Sequence, residues 1–306
     1  MIRKLLIGNA LMIVCFAVAS VFAQTDDAGL KKINGTSLFL SVKGSGDPLI
    51  VIHGGPGLNH SYFIPYLQGL EKKLQVIYYD QRACGRSLTP SADSISMKLL
   101  VEDIEAIRKE LKVEKVNILA HSWGAVLAAH YASQYPDRIK RFIFSNPAML
   151  SREFDQEAAA IVKQKTTKAD SVERASILGS GALDIKKYDE LFRISFRISA
   201  YDRTNISKVK LDLPPNFLES NRALFNALMK DPGFNSDMYN VLPSFNFPVL
   251  IIHGQSDVLP PRSIERLEKE LPNKQLIVFK KSGHFPFLEE TDAYNDAVLK
   301  FLLLRR

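Results

Sequence analysis

The stretch from Val116 to Tyr135 constrains this chain more than any other. An apolar run (Val116, Asn117, Ile118, Leu119) leads into Ala120-His121-Ser122-Trp123-Gly124, and an Ala-rich run of helical character (Ala125, Val126, Leu127, Ala128, Ala129) follows. A strand that turns this sharply into a helix crowds its own backbone, so the positions two before and two after the apex must be small. Here they are Ala120 and Gly124. The apex is Ser122, whose hydroxyl such a turn lifts clear of the sheet edge, which makes it the candidate nucleophile. The plainer reading, a small loop ahead of a helix, stays open because Ala120 stands where glycine is usual.

Around this turn, short β-like runs alternate with helical ones, the pattern of an α/β fold with a doubly wound, mostly parallel sheet covered on both faces. The expected strands are Ser37 to Val42, Leu49 to Ile52, Gln75 to Tyr79, Val116 to Leu119, Phe142 to Ser145, Val249 to Ile252 and Gln275 to Phe279. Helices are expected at Met97 to Leu111 and at Ala125 to Tyr135, the second stopped by Pro136. The runs Leu49 to Ile52 and Val249 to Ile252 show no polar alternation, as strands buried on both faces should. The alternation fails from about Ser151 to Ser244, where segments such as Gln156 to Thr166 and Ser220 to Met229 have helical periodicity. That stretch, 151–244, reads as an inserted helical lid dividing a core into 24–150 and 245–306; an independent second domain is the alternative.

With 306 residues and 46% hydrophobic content, the chain can bury one large core. Residues 1–23 form a separate unit: Arg3 and Lys4, an apolar stretch from Leu5 to Phe22, then Val21-Phe22-Ala23 ahead of Gln24. This is the pattern of a cleaved signal peptide, so a secreted or periplasmic protein with no stable membrane insertion is expected. An uncleaved membrane anchor is the alternative. Cleavage removes Cys15 and leaves Cys84 as the one cysteine, so no intramolecular disulfide is expected. It also lowers the formal charge from +7 to +5 by removing Arg3 and Lys4. The remaining basic residues are scattered among acids without an aromatic platform, and no nucleic-acid partner is expected.

A serine hydroxyl needs a base to take its proton, and the base needs a third group to hold its tautomer. On an open α/β sheet these groups come from loops at the carboxyl ends of strands, in the chain order serine, acid, histidine. Asp257 follows the strand Val249 to Ile252 across His253-Gly254-Gln255-Ser256, and His284 follows Gln275 to Phe279 across Lys280-Lys281-Ser282-Gly283. Ser122, Asp257 and His284 are therefore the expected catalytic set, against the plainer readings of a turn aspartate and a surface histidine. For an oxyanion, one backbone N–H would come from Trp123 and a second from the loop His53-Gly54-Gly55-Pro56-Gly57, with Gly55 the chosen donor. A phosphate cradle is the rival for that loop, but the lysine and glycine spacings it requires are absent. His121 is adjacent to Ser122 on a turn and would point elsewhere. Cys84 has no neighbouring histidine in sequence. His53, His60, His130 and His253 have no metal-ligand spacing, so no metal is expected.

Together, His53-Gly54-Gly55-Pro56-Gly57, the run from Tyr79 through Asp80-Gln81-Arg82 to Ser87, Ser122-Trp123-Gly124 and Ser282-Gly283-His284-Phe285 resemble the α/β-hydrolase superfamily, and within it the proline iminopeptidase-like serine peptidases. The resemblance covers the core on both sides of the expected lid. It implies the triad Ser122, Asp257 and His284, no cofactor, and a small-molecule or short-peptide substrate whose N-terminal residue is released through an acyl-enzyme. It also implies that Asp80, Gln81 and Arg82 brace the loops around the oxyanion site, with Ala83 departing from the family's glycine. Peptidases of this type bind a free amino terminus through acidic lid residues, for which Glu153, Glu157, Glu173, Glu190 and Glu219 are available, but their lids are rich in tryptophan and the only tryptophan here is Trp123. An esterase, lactonase or amidase with the same triad, and a ligand-binding protein without turnover, are the alternatives.

Overall fold

In a computed structural model of the chain, residues 27–88 and 91–304 are described. The expected signal peptide, residues 1–23, lies outside them. The elements in order are β1 (Asp27–Ile33), β2 (Thr36–Lys43), β3 (Pro48–Ile52), α1 (Gln68–Glu71), β4 (Gln75–Tyr79), α2 (Met97–Glu110), β5 (Val116–Ser122), α3 (Trp123–Gln134) and β6 (Ile139–Pro147). Four helices follow, α4 (Asp155–Lys165), α5 (Lys168–Gly179), α6 (Ile185–Ser199) and α7 (Phe217–Lys230). The chain then makes β7 (Val249–Gly254), α8 (Pro261–Glu270), β8 (Lys274–Phe279), α9 (Pro286–Glu289) and α10 (Thr291–Leu303). Among the described residues no helix is long and apolar enough to cross a membrane.

The eight strands form one sheet in the order β1-β2-β4-β3-β5-β6-β7-β8. From β4 to β8 all neighbours are parallel, while β2 runs antiparallel to both β1 and β4. The chain leaves β3 for β4 on one side and returns to β5 on the other, so the order reverses between β3 and β5. A crevice opens at such a reversal, above the carboxyl ends of the two strands, and it is where ligands bind on open α/β sheets. The loop from His53 and the turn at Ser122 leave from those two ends.

Strand β1 was not expected. Its exposed Leu30 and its lysines hide the two-residue periodicity, as is common at a sheet edge. The signal for it was Asn34-Gly35, which join Ile33 to Thr36 with φ of 48° and 72°, the left-handed pair that a two-residue hairpin turn requires.

The central strands are buried on both faces because each face has its own helical cover. Ile50 and Ile52 of β3 and Val249 and Ile251 of β7 pack with α2, α3 and α8, whereas Leu49, Val51, Leu250 and Ile252 pack with α1, α10 and part of α6. Each such side chain stabilises the fold by roughly 1.5–3 kcal/mol through burial. Helix α2 starts where the Ser96 side chain accepts from Leu99 N, and α3 ends at Tyr135 ahead of Pro136. Among the described residues no strand lies between β6 and β7. The helices there are tied to one another by the buried Asp170 carboxylate of α5, which pairs with Arg197 of α6 at 2.8 Å and with Arg203 at 2.6 Å.

Candidate active site

Ser122 sits at the junction of β5 and α3 with φ 54° and ψ −127°, a conformation that favours glycine and costs a residue with a side chain about 1–3 kcal/mol. The surroundings hold it there. A Cβ on Gly124 would stand 2.5 Å from the Ile52 carbonyl oxygen and 2.7 Å from that of His53, so only glycine lets α3 begin this close to β3. A Cβ on Gly54 would stand 2.9 Å from the Ser122 Cβ. Ala120, the unusual residue of the turn, is fully buried and pairs with Ile52 and Phe144 in the sheet.

The loops after β7 and β8 bring Asp257 and His284 to this serine. His284 Nε2 lies 3.0 Å from Ser122 Oγ, and its Nδ1 lies 2.8 Å from Asp257 Oδ2. With its proton on Nδ1, the imidazole donates to Asp257 and accepts from the serine hydroxyl. The backbone N–H of Val258 donates to Asp257 Oδ1 at 2.6 Å and the Asn146 amide donates to Oδ2 at 2.7 Å. Burial pushes the Asp257 carboxyl upward, but the neighbouring His284, with His253 and Asn146, outweighs burial and holds it at about 2. The carboxylate is thus ionised at any pH where the imidazole needs orienting.

The glycine-rich loop after β3 lies against the same turn. The Gly54 N–H is taken by the Tyr62 oxygen at 2.5 Å, whereas among the described residues the Gly55 N–H has no acceptor within the chain, and Gly55 lines the cavity over Ser122. The Trp123 N–H is among the first N–H groups of α3, which have no partner one turn earlier in the helix. Gly57, at φ 91°, faces Asn221, whose Oδ1 a Cβ would strike. His53 is buried, donates from Nδ1 to the Gly54 carbonyl and accepts from Gln81 N at Nε2, and its desolvation lowers it to about 4. The Gln81 side chain donates to the His53 carbonyl at 2.6 Å and accepts from the Trp123 indole at 3.1 Å. Asp80 accepts from the N–H of His60 and of Arg86, and Arg82 forms a two-pronged pair with buried Asp103 at 2.6 and 3.0 Å. Ala83 keeps a left-handed φ of 61°, so the backbone shape that glycine would ease is present with an alanine.

Four further groups support the site. His121 points away from Ser122: Tyr62 Oη donates to its Nδ1 at 2.9 Å, and its Nε2 donates to the His284 carbonyl at 2.8 Å. This chain joins the glycine loop, through Tyr62, to the loop that carries His284. It works only with a neutral imidazole, and burial, reinforced by His284, lowers His121 to about 3. Asn146, at φ 42°, donates to both Asp257 and the Gly283 carbonyl. Glu289 and Glu290 accept from the Gly283 N–H and the Ser282 hydroxyl, bracing the same loop. Asn146, Glu289 and Glu290 belong to no local motif, and His121, inside the serine turn, gave no sign in sequence of its partners.

Cys84 is buried, and desolvation pushes its thiol up to about 12. In residues 24–306 it should therefore stay unlabelled by a thiol reagent at neutral pH and react once denaturant is added. A full equivalent titrated in the native state would overturn this.

Over Ser122 lies a cavity of about 430 Å³ between the glycine loop, His284 and helices α5, α6 and α7. Its walls are mostly apolar, with Leu58, Tyr188, Phe192, Phe196 and Phe225 among them. None of the five candidate glutamates lines it. Glu153, Glu157 and Glu173 pair with Arg266, Arg262 and Arg197, while Glu190 and Glu219 line separate surface depressions. The larger of those, about 910 Å³ beside the β1–β2 hairpin, is lined by none of Ser122, Asp257 and His284.

Comparison with known proteins agrees with this fold. A family profile described as alpha/beta hydrolase fold matches residues 47–291. A proline iminopeptidase of Clostridium botulinum is 30% identical over 85% of this chain and 90% of its own length, and one of Heyndrickxia coagulans is 29% identical over 85% and 91%. The crystal structure of a proline iminopeptidase from Mycobacterium smegmatis superposes with a TM-score of 0.67 at 22% identity, covering 90% of this chain and 98% of that one.

Proposed function

Because this chain belongs to the alpha/beta hydrolase fold family, we propose that it is a serine hydrolase that splits an acyl bond through an acyl-enzyme on Ser122. The observation that carries the reading is the continuous hydrogen-bond chain from Ser122 Oγ through His284 to Asp257, at 3.0 and 2.8 Å, under a cavity large enough for a small acyl group.

Ser122 Oγ attacks the carbonyl carbon while His284 Nε2 takes its proton, and ionised Asp257 stabilises the imidazolium. The Gly55 and Trp123 N–H groups hold the oxyanion. The bond to the leaving amine or alcohol then breaks, and His284 returns the proton to that group. Water next attacks the acyl-enzyme, its proton passing to Nε2 and on to Ser122 Oγ as the carboxylic acid leaves. The helices between β6 and β7 act as the lid that shapes the acyl site, and residues 1–23 direct export.

Two forms of this activity differ in the acyl group. The names of the relatives support release of an N-terminal residue from short peptides. The lining of the cavity favours the second form, an esterase or amidase: a free amino terminus is cationic at neutral pH, and burying an ammonium without a carboxylate partner is costly. Steady-state kinetics on short-chain esters and on aminoacyl amides with free or acetylated amino termini tests this. Turnover of esters, with acetylated amides at least equal to free ones, is expected. A tenfold or greater preference for free amides would return the aminopeptidase form, and no turnover of any of them would overturn the hydrolase reading.

A further inference from the structure

Among the described residues, apart from its histidines and tyrosines, the cavity over Ser122 has one ionisable side chain in its lining, and it is a cation. Arg174 of α5 lines the cavity, and no aspartate or glutamate does. Of the five other arginines in the helical segment, Arg152, Arg193, Arg197 and Arg203 each have a carboxylate within 2.9 Å, and Arg222 of α7, which has none among the described residues, lies outside this cavity. Among the described residues Arg174 has none. One of its five N–H donors reaches the Ser195 hydroxyl of α6 at 3.0 Å, and that hydroxyl spends its own proton on the Leu191 carbonyl at 3.0 Å. The guanidinium is thereby aimed, with donors to spare.

Asn221 of α7 also lines the cavity, with its Oδ1 buried against Gly57. A guanidinium without a counter-ion among apolar walls favours an anionic ligand that meets its free donors. The distance of Arg174 from the reacting centre follows from α6. The Ser199 carbonyl accepts the His284 N–H at 2.8 Å, and Ser195 lies one turn back, about 6 Å along the helix axis. A few methylene groups span that length, and the aromatic walls suit them.

We propose that the acyl site selects a short apolar chain ending in a carboxylate, held by Arg174. The proposal rests on the serine-hydrolase reading and names its substrate class: ω-carboxyacyl esters or amides. A cationic end is rejected by the same guanidinium, which is specificity by repulsion as well as by attraction.

Three para-nitrophenyl esters of equal chain length test it: the monoester of adipic acid, the hexanoate and the ω-aminohexanoate. With the full chain, kcat/KM for the adipic monoester is expected to exceed that for the hexanoate by about tenfold, the scale of one charge-assisted hydrogen bond, and that for the ω-aminohexanoate by more. Arg174→Met should bring the first ratio to about one, Arg174→Lys should keep part of it, and Arg174→Glu should reverse the order of the two charged esters. Because the readout is a ratio within each variant, partial loss of folded protein does not disturb it. A wild-type ratio of one or below, or a ratio that survives Arg174→Met, overturns the proposal. Failure of the hydrolase reading looks different: the wild type would then hydrolyse no ester faster than Ser122→Ala.

Discussion

Ser122→Ala is expected to lower kcat/KM by roughly 10⁴- to 10⁶-fold, the range seen when the nucleophile of a serine–histidine–aspartate set is removed. The loss is large because nothing else in the cavity replaces the hydroxyl: Cys84 is buried as a thiol, and His121 commits both ring nitrogens to Tyr62 and the His284 carbonyl. The fold should survive, since the hydroxyl makes one hydrogen bond, to His284. A glycine there should be equally inactive but more stable than the alanine, because it relieves the φ of 54°. Ester kinetics together with thermal unfolding of the three proteins check both statements. Activity of Ser122→Ala within tenfold of wild type would place the chemistry elsewhere.

Asp103→Ala is expected to destabilise the protein by about 3–5 kcal/mol, because it leaves the Arg82 guanidinium buried without its counter-ion. Arg82 and Asp103 are both almost wholly buried, and apart from this pairing Arg82 donates only to the Asn34 carbonyl at 2.9 Å. Replacing both partners, as Arg82→Met with Asp103→Leu, should recover most of the loss, since no charge then remains in the core. Denaturant unfolding of the single and double variants measures it. A single-variant loss under 1 kcal/mol would mean that the pair does not anchor the segment. The same segment carries Gln81, which touches both the His53 carbonyl and the Trp123 indole, so the stability of Arg82 bears on the shape of the glycine-rich loop after β3.

Much of the core was legible because its signals are local. Seven of the eight strands follow from apolar runs of the right length, and the two runs without polar alternation, Leu49 to Ile52 and Val249 to Ile252, are indeed buried on both faces. The edge strand β1 escaped because an exposed edge need not alternate cleanly, although Asn34-Gly35 marked its turn. The positions of Ser122, Asp257 and His284 could be read because on a parallel sheet every strand ends at the same edge, so a residue just past a strand is already placed near others of its kind. The glycine requirements at Gly54 and Gly124 follow from the crowding of that edge.

The sequence by itself determined the order of strands and helices, the turn that strains Ser122, and which loops reach the sheet's carboxyl edge, since each depends on residues close together in the chain. Only the tertiary structure decided how those loops are braced and what the cavity asks of a ligand. Asn146 meets Asp257 across 111 positions and His121 meets the His284 carbonyl across 163, and no periodicity encodes such pairings. The same holds for charge in the helical segment. Five glutamates and six arginines look alike in sequence, and packing neutralises several at the surface while leaving Arg174 to line the space above the serine. A side chain's electrostatic role depends on what stands within a few ångströms of it, and for these groups the neighbours come from other helices.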